Sequence, residues 1–396
     1  MTDLTSTRGT PPLYFGMRGD RIAVSVLFLV NGFLVGSWAP KIPLLMGRLE
    51  ISESVMGLLI LAFGLGSIVM MPIMGALTAR NGSAPVLRVA ALAVLPMFLA
   101  ITLAPGLIAT AIAVFLFGGF IGGMDVAMNT NAVAVEKRMG RAIMSSCHGF
   151  WSLGALLGAA MGGVLLGAFG ELGHAVVLTA VATAGIVAVL PLIAQDQPTP
   201  ESKAATPLRF PSSPLPYLVG IMALFSMIPE GAILDWSALY LQKDHGASIE
   251  LAALGFAAFS ATMAIMRFAG DTIRQKLGAV TTLRVCGAFA LVGMILGSIA
   301  PSAELAIAGF AIAGIGISNM VPIAFSAAGN LPGVPSGIGL SIVTVTGYSG
   351  ILVAPSAIGF IAEHTGFSPV LMGTAGLIVV TLALSALARY ADFSTD

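Results

Sequence analysis

Charge is what this sequence has least of. Lys, Arg, Asp and Glu make up 9% of its 396 residues, against about 25% in an ordinary soluble domain. Hydrophobic residues make up 57%. A water-soluble fold of this length cannot hide that much apolar surface, so the surrounding solvent is expected to be lipid. Cysteine is nearly absent. Cys147 and Cys286 each sit in an apolar stretch, which excludes a disulfide framework and a cysteine-based metal site. Basic and acidic residues balance at 18 each, so there is no electrostatic case for a nucleic-acid partner. Residues 1–20 are polar and lack the apolar core and cleavage site of a signal peptide. The first apolar stretch is therefore read as a retained helix.

What is present is one long apolar segment after another. A bilayer core of about 30 Å takes about 20 apolar residues per helix, and every backbone polar group inside it must be paired internally. The segments lack the period-two alternation of a membrane barrel. Helices are expected at roughly 22–46, 54–78, 84–104, 107–135, 142–169, 173–195, 216–241, 249–273, 279–300, 303–329, 335–362 and 367–390. The expected fold is an all-α membrane protein of twelve transmembrane helices in two pseudo-symmetric six-helix bundles. These are an N-terminal bundle over 1–195 and a C-terminal bundle over 216–396, joined by a polar, proline-containing linker at 196–215. Fifteen basic residues, Arg267 among them, fall on one side of this topology, and Lys41, Arg48 and Lys243 on the other. The bias predicts that both termini are cytoplasmic.

The halves look related. Gly75 matches Gly270, Asp125 falls opposite Asn319, and Gly154, Gly163 and Gly170 fall opposite Gly350, Gly359 and Gly366. A shared offset of roughly 195 residues is expected of an internal duplication, and such repeats place a substrate site between them near mid-membrane.

Gly75-Ala76-Leu77-Thr78-Ala79-Arg80-Asn81-Gly82 resembles the loop signature Gly-x-Leu-Ala-Asp-Arg-x-Gly-Arg-Arg of the major facilitator superfamily. Ala79 replaces its acidic residue and Ser83 its first following arginine. The counterpart stretch, Arg267 to Arg274 with Gly270 and Asp271, keeps both signs of charge. The stretches Gly123–Asn129, His148–Gly154, Glu230–Ser237 and Gly347–Gly350 with Ala354-Pro355 resemble the bacterial branch that contains the rhizopine-transport protein, distantly similar to fucose permeases. The resemblance spans nearly the whole chain. It implies twelve helices, alternating access, a small solute and a coupling acid in the fourth helix. It also implies a cytoplasmic gate at Gly75, Arg80, Arg267, Gly270, Asp271 and Arg274.

An ionisable group inside the membrane costs several kcal/mol, about 2.5–3.5 on insertion scales, and so suggests function. Asp125 in the fourth helix has Asn129 one turn below it. It is read either as a carboxylate that takes up a proton during transport or as a structural aspartate bonded to a neighbouring helix. Glu230 lies between Pro229 and Gly231 in the seventh helix, where a local break would expose carbonyls to a cavity. Ser226 shares its stripe. Asp235 points away from that stripe and is read as an outer-gate or coupling residue. Trp236 is read as an interfacial anchor or a stacking ring. His148 lies near enough in sequence to Asp125's helix for a proton-relaying pair, or it is satisfied by a backbone carbonyl. Trp151 lies on its face. Asn31, Trp38, Asn319, Thr344 and Tyr348 are candidate neutral partners in the cavity or bonds between helices. Arg267 is close to the cytoplasmic end and can snorkel; it is read as a gate or structural charge, with a substrate ligand as the alternative, and Lys41, near the outer surface, as a loop-end residue.

These residues point to a proton-coupled secondary transporter of a sugar, polyol or amino-sugar-like solute in the inner (plasma) membrane. The alternative is a proton-driven exporter of drugs or metabolites. The glycines Gly154, Gly158, Gly162 and Gly163 partly resemble an exporter motif, but Ala159 stands where that motif has proline. No nucleophile–base pair or phosphate-binding glycine loop stands out, so no enzyme and no cofactor is expected. The expected partners are the solute, protons and the lipid bilayer, with the chain as a monomer.

Overall fold

The computed structural model describes residues 13–196 and 211–392, which form helices without strands. Most of the expected linker lies outside the described residues, as do Arg8, Lys203 and Arg209. The rods are α1 (Leu13–Gly36), α2 (Glu53–Asn81), α3 (Ser83–Val94 continued by Met97–Leu103) and α4 (Leu107–Met139). The helix Met144–Val189 bends at Gly170 into two arms, α5 (144–169) and α6 (171–189). The second half holds α7 (Leu215–His245), α8 (Ile249–Leu277) and α9 (Ala279–Ser298). It continues with α10 (Ala303–Ile317 then Met320–Ala328), α11 (Ser336–Thr365) and α12 (Phe367–Ala383).

Among the described residues, nine helices are long and apolar enough to cross a membrane. They are ten if Phe367–Ala383 and the bent segment Ser385–Ala391 form one span. The nine count the bent Met144–Val189 helix once. They omit α8, which carries Arg267, Asp271, Arg274 and Lys276. Large apolar side chains cover the outside: Ile108 is 78% exposed, Val164 71% and Ile265 69%. An exposed apolar belt of this kind fits lipid and not water.

The duplication is visible in the devices that start and stop the helices. Ser52 caps α2 by accepting from Val55 N, and Ser248 caps α8 by accepting from Leu251 N. Gly82 and Gly278 take φ of +83° and +77° at the turns into α3 and α9, a region that suits glycine. Gly170 and Gly366 take +66° and +81° at the turns into α6 and α12. Asp196 accepts from Ser83 N at 2.9 and 2.8 Å and from Ala84 N at 3.2 Å, and Asp392 accepts from Ala279 N at 2.7 Å. Each half thus ends in an aspartate that covers the free amides at the start of its own third helix. Asp196→Ala is expected to lower stability by about 1 kcal/mol. Thermal unfolding in detergent checks this, and an unchanged midpoint would remove the capping role.

Packing repeats as well. In the first half α1 packs on the α5–α6 helix and α2 on α4; in the second, α7 packs on α11 and α8 on α10. The halves meet along two seams, α2 with α11 and α5 with α8. Both seams contain a glycine that permits close approach. A Cβ on Gly75 would lie 2.5 Å from Ser341 Cβ, and one on Gly270 would lie 2.9 Å from Ser145 Cβ.

One end of the bundle carries Arg80, Lys137, Arg138, Arg141, Arg274 and Lys276 and is called the basic end. Most of the hydrogen bonds across the seams lie there. Glu136 Oε1 accepts from Arg274 Nη1 at 2.9 Å, and its Oε2 accepts from Ser326 Oγ at 2.5 Å. The same carboxylate accepts from Ile143 N and Met144 N at the start of α5. Asp271 accepts from Ser145 N at 2.9 Å, from Ser146 N at 3.0 Å and from the Ser146 hydroxyl. Gln275 Oε1 accepts from Ala142 N at 3.0 Å, and Ser341 Oγ donates to Met71 O at 3.1 Å. Among the described residues, no hydrogen bond joins the halves at the opposite end. There the charges pair within the first half. Lys41 is fully buried, bonded to Glu171 at 2.6 Å and Thr102 at 2.7 Å. It stands in the turn Ala39–Lys41 that follows α1, where a loop-end residue is expected, but its buried side chain makes it a structural tie.

Candidate functional site

Above the sealed basic end lies a cavity of about 220 Å³ between the halves. The first half supplies Asp125, His148 and Trp151. The second supplies Met227, Glu230, Gly231, Leu234, Asp235, Arg267, Val321, Phe325, Tyr348 and Ile351. Asp125, Glu230 and Tyr348 each sit near the middle of their helices, so the cavity lies well inside the membrane span.

Asp125 is 4% exposed. Its Oδ1 accepts from Asn129 Nδ2 at 3.1 Å, and the same amide donates to Asp125 O at 2.9 Å. Asp125 Oδ2 has no partner. Asn129 is thus a positioning residue behind the acid, not a wall of the cavity. The spacing of the pair on α4 puts the amide one turn on, on the same face.

Glu230 Oε1 pairs with Arg267 Nη2 at 3.1 Å. Arg267 also donates to Ser152 Oγ at 2.6 Å and to Ser318 O at 3.4 Å. It is 5% exposed. The expectation that Arg267 snorkels to the cytoplasmic gate is therefore corrected. Its side chain extends into the cavity wall because three acceptors there satisfy the guanidinium, one of them across the seam on α5. α7 runs unbroken through Pro229 and Gly231, so the expected local break at Glu230 is absent. The carboxylate itself, not freed carbonyls, reaches the cavity.

His148 lines the cavity, but it makes no hydrogen bond or ion pair with Asp125 among the described residues. Its ring sits edge-on between Phe28 at 5.3 Å and Phe325 at 5.5 Å, and Nε2 has no partner. The expected His148–Asp125 pair is corrected: two aromatic rings hold the imidazole instead. Asp235 shares the cavity with Glu230 although it lies off that residue's stripe. Trp151 Nε1 donates to Asn31 Oδ1 at 2.9 Å, and Asn31 Nδ2 donates to Ile121 O at 3.3 Å. Asn31 therefore fixes the tryptophan from behind.

Several expected lining residues stand elsewhere. Ser226 donates to Met222 O on its own helix at 2.7 Å and is buried. Trp236 packs on Phe367 at 5.5 Å and against Gly359, in the second half's own packing. Trp38 packs beside Phe117 at 6.3 Å. Asn319, at the break in α10, donates to Ser318 Oγ at 2.9 Å, and its Oδ1 faces Gly270. Thr344 is fully buried with no partner for its hydroxyl. Of the residues expected at a gate, Gly75, Gly270, Asp271 and Arg274 lie on the seams. Arg80 is exposed, and no ion pair holds it among the described residues. Glu136 opens the run Glu136-Lys137-Arg138, which reads in the sequence as a solvated helix end and hides its role. Its signal was the spacing Asp125, Asn129, Ala132, Glu136, one face of α4.

The family profile described as Major Facilitator Superfamily matches residues 24–334. A protein from Sinorhizobium fredii called an uncharacterised transporter is 39% identical over 342 residues, covering 86% of this chain and 90% of its own. Membrane protein MosC of Rhizobium meliloti is 32% identical over 354 residues, covering 88% and 85%. The Escherichia coli fucose:proton symporter FucP superposes with a TM-score of 0.77 at 13% identity, over 97% of this chain and all of that one. A structure of FucP in the outward conformation gives 0.78 at 14%, over 94% and 99%. The human organic anion transporter MFSD10 gives 0.70 at 16%, over 95% and 100%. Identities this low establish the shared fold and no more.

Proposed function

The chain belongs to the major facilitator superfamily, and from that premise we propose that it is a proton-coupled secondary transporter of a small polar solute. Its sugar-, polyol- or amino-sugar-like cargo binds in the central cavity. The two bundles, residues 1–195 and 216–396, rock about it, joined by the linker at 196–215. Twelve spans make up the bundles, with α5 and α8 joining the more apolar rods. The excess of Lys and Arg at the basic end supports that end as cytoplasmic, with both termini there and the chain acting as a monomer in the inner membrane.

The observation that carries this reading is Asp125. It is a nearly inaccessible carboxylate with one oxygen unpartnered, facing a cavity walled by both halves. An ionisable group at this depth is costly to keep and so suggests a role in the transport cycle. A proton held in one state and released in the other biases the equilibrium between them, which is all that coupling requires. The cavity volume of about 220 Å³ lies below the range of about 300–1,000 Å³ typical of drug-sized ligands. That favours a small solute over a bulky drug. Trp151 and Tyr348 supply flat apolar faces, each with a polar tip.

A thermal-shift screen against sugars, polyols and amino acids identifies the solute, since a ligand bound by the folded state raises its midpoint. In proteoliposomes with an imposed pH gradient, the wild type is expected to accumulate that solute. Asp125→Asn is expected to lose accumulation while it retains solute exchange at equal pH. Full accumulation by both Asp125→Asn and Glu230→Gln would refute proton coupling through these acids.

A further inference from the structure

A second cavity, of about 450 Å³, lies at the basic end and is separate from the central one. Its walls come from the ends of α2 and α4 and from the start of α11, so both halves contribute. Thr78, Lys137, Arg138, Ser336 and Gly337 are among the residues that line it. Three of its features call for an anion. Lys137 and Arg138 bring two positive charges. Among the described residues Lys137 has only a 3.5 Å contact to Gly329 O, and Arg138 is held by Asp20 at 2.9 Å. The 30-residue helix α11 begins there, and its cap residue, Pro335, offers no side-chain hydrogen bond. The Ser336 hydroxyl is turned away to Gly329 O. The Ser336 and Gly337 amides meet no acceptor among the described residues, whereas those of Ile338 and Gly339 both donate to Pro335 O. Finally, Thr78 is 3% exposed and its hydroxyl has no partner. A buried hydroxyl left unbonded is costly. An acceptor placed in this cavity would satisfy it together with the helix start.

One acid, Asp196, also lines the cavity. Both its oxygens already accept from the Ser83 and Ala84 amides, so its charge is met by the start of α3. Asp20 likewise holds Arg138, so Lys137 is the charge left to meet an anion. The equivalent helix start, that of α5, is already covered, its amides donating to Glu136 and Asp271.

We propose that this cavity binds a phosphate-type oxyanion, held by Thr78, Lys137 and the start of α11. A tetrahedral oxyanion presents several acceptor oxygens at once, and backbone amides at a helix start are suited to it. Because its walls belong to both halves, the bound anion ties α2 and α4 to α11 and favours the arrangement closed at the basic end. A free phosphate, a phosphorylated metabolite and a phospholipid headgroup share this chemistry. The inference does not depend on the identity of the transported solute or on proton coupling.

The test uses the full chain purified in detergent, titrated with inorganic phosphate against chloride at matched ionic strength and followed by thermal unfolding. Phosphate is expected to raise the midpoint where chloride does not. Lys137→Gln is expected to raise the half-saturating concentration about tenfold, and Thr78→Val about threefold, as loss of charge-assisted and neutral hydrogen bonds implies. Thr78→Val keeps the side chain's shape, so it answers the question even if Lys137→Gln folds poorly. Arg284→Gln, at the same end but outside the cavity, is expected to titrate like the wild type. A parallel arm compares nanodiscs of phosphatidylcholine with nanodiscs containing phosphatidate. Protection by phosphatidate alone, lost in both variants, assigns the site to a lipid headgroup; protection by soluble phosphate assigns it to a water-soluble anion. Equal protection by chloride, no protection in either arm, or titrations unchanged by both variants would each overturn the proposal.

Discussion

Arg267→Met is expected to reduce transport by more than about 100-fold and to lower the melting midpoint. The cause is what the substitution leaves behind. Glu230, partly exposed at the cavity wall, loses its ion pair, and breaking a buried pair from one side costs at most about 3–5 kcal/mol. The link to Ser152 across the seam goes with it. Glu230→Met is expected to do comparable harm, because the guanidinium then keeps only Ser152 and the Ser318 carbonyl. The informative variant is the double one, Arg267→Met with Glu230→Met. Apolar residues of similar volume often replace a buried pair without loss of stability, so its midpoint is expected to return close to wild type. Its transport is not expected to return. Unfolding and solute uptake, measured on the same three proteins, separate the two roles. A double variant that accumulates solute at the wild-type rate would reduce the pair to a packing device.

That pair also shows how far the sequence could be read. The presence of Arg267 and Glu230 in apolar segments was evident, and so was the cost that makes such residues worth explaining. Their relation was not. Arg267 lies about three turns from the end of α8, and a long side chain at that height reaches either the surface or the cavity; only the acceptors decide. Rotation was the second gap. A helix apolar all round carries no stripe to say which face meets lipid and which meets its partners. Asp125, Glu230, Asp235, His148, Trp151 and Tyr348 reach the cavity, while Trp38, Ser226 and Trp236 turn into packing of their own halves. The duplication was legible in the glycines, and Gly75 and Gly270 do stand at equivalent close contacts. The matching aspartates at 196 and 392 were not legible as caps, since an acid beyond a helix end reads as solvated until the turn it covers is known.

Asp271→Ala is expected to unlock the basic end. The carboxylate spans the α5–α8 seam and accepts two amides and a hydroxyl at the start of α5, where free N–H groups and the helix dipole favour a negative charge. Hydrogen bonds to a charged group contribute about 1.5–3 kcal/mol each. These bonds exist only while the seam is closed, so losing them moves the balance between the two arrangements. A shift of about 3 kcal/mol changes the population ratio by more than about 100-fold. Glu136→Ala is expected to act in the same direction, since its partners Arg274 and Ser326 lie across the seam. Spin labels at Arg141→Cys and Lys276→Cys, exposed residues on opposite sides of that seam, read the change directly once Cys147 and Cys286 are replaced by serine. The unaltered background is expected to give one short distance, and either alanine variant a dominant longer one. Gly270→Leu tests the same seam by bulk instead of charge. A Cβ there would already lie 2.9 Å from Ser145 Cβ across the seam, so a leucine pushes α5 away from α8. It is expected to give the longer distance with Asp271 and Glu136 intact. Short distances in all three variants would show that the seam is held by general packing, and that neither carboxylate sets which end of the bundle stays shut.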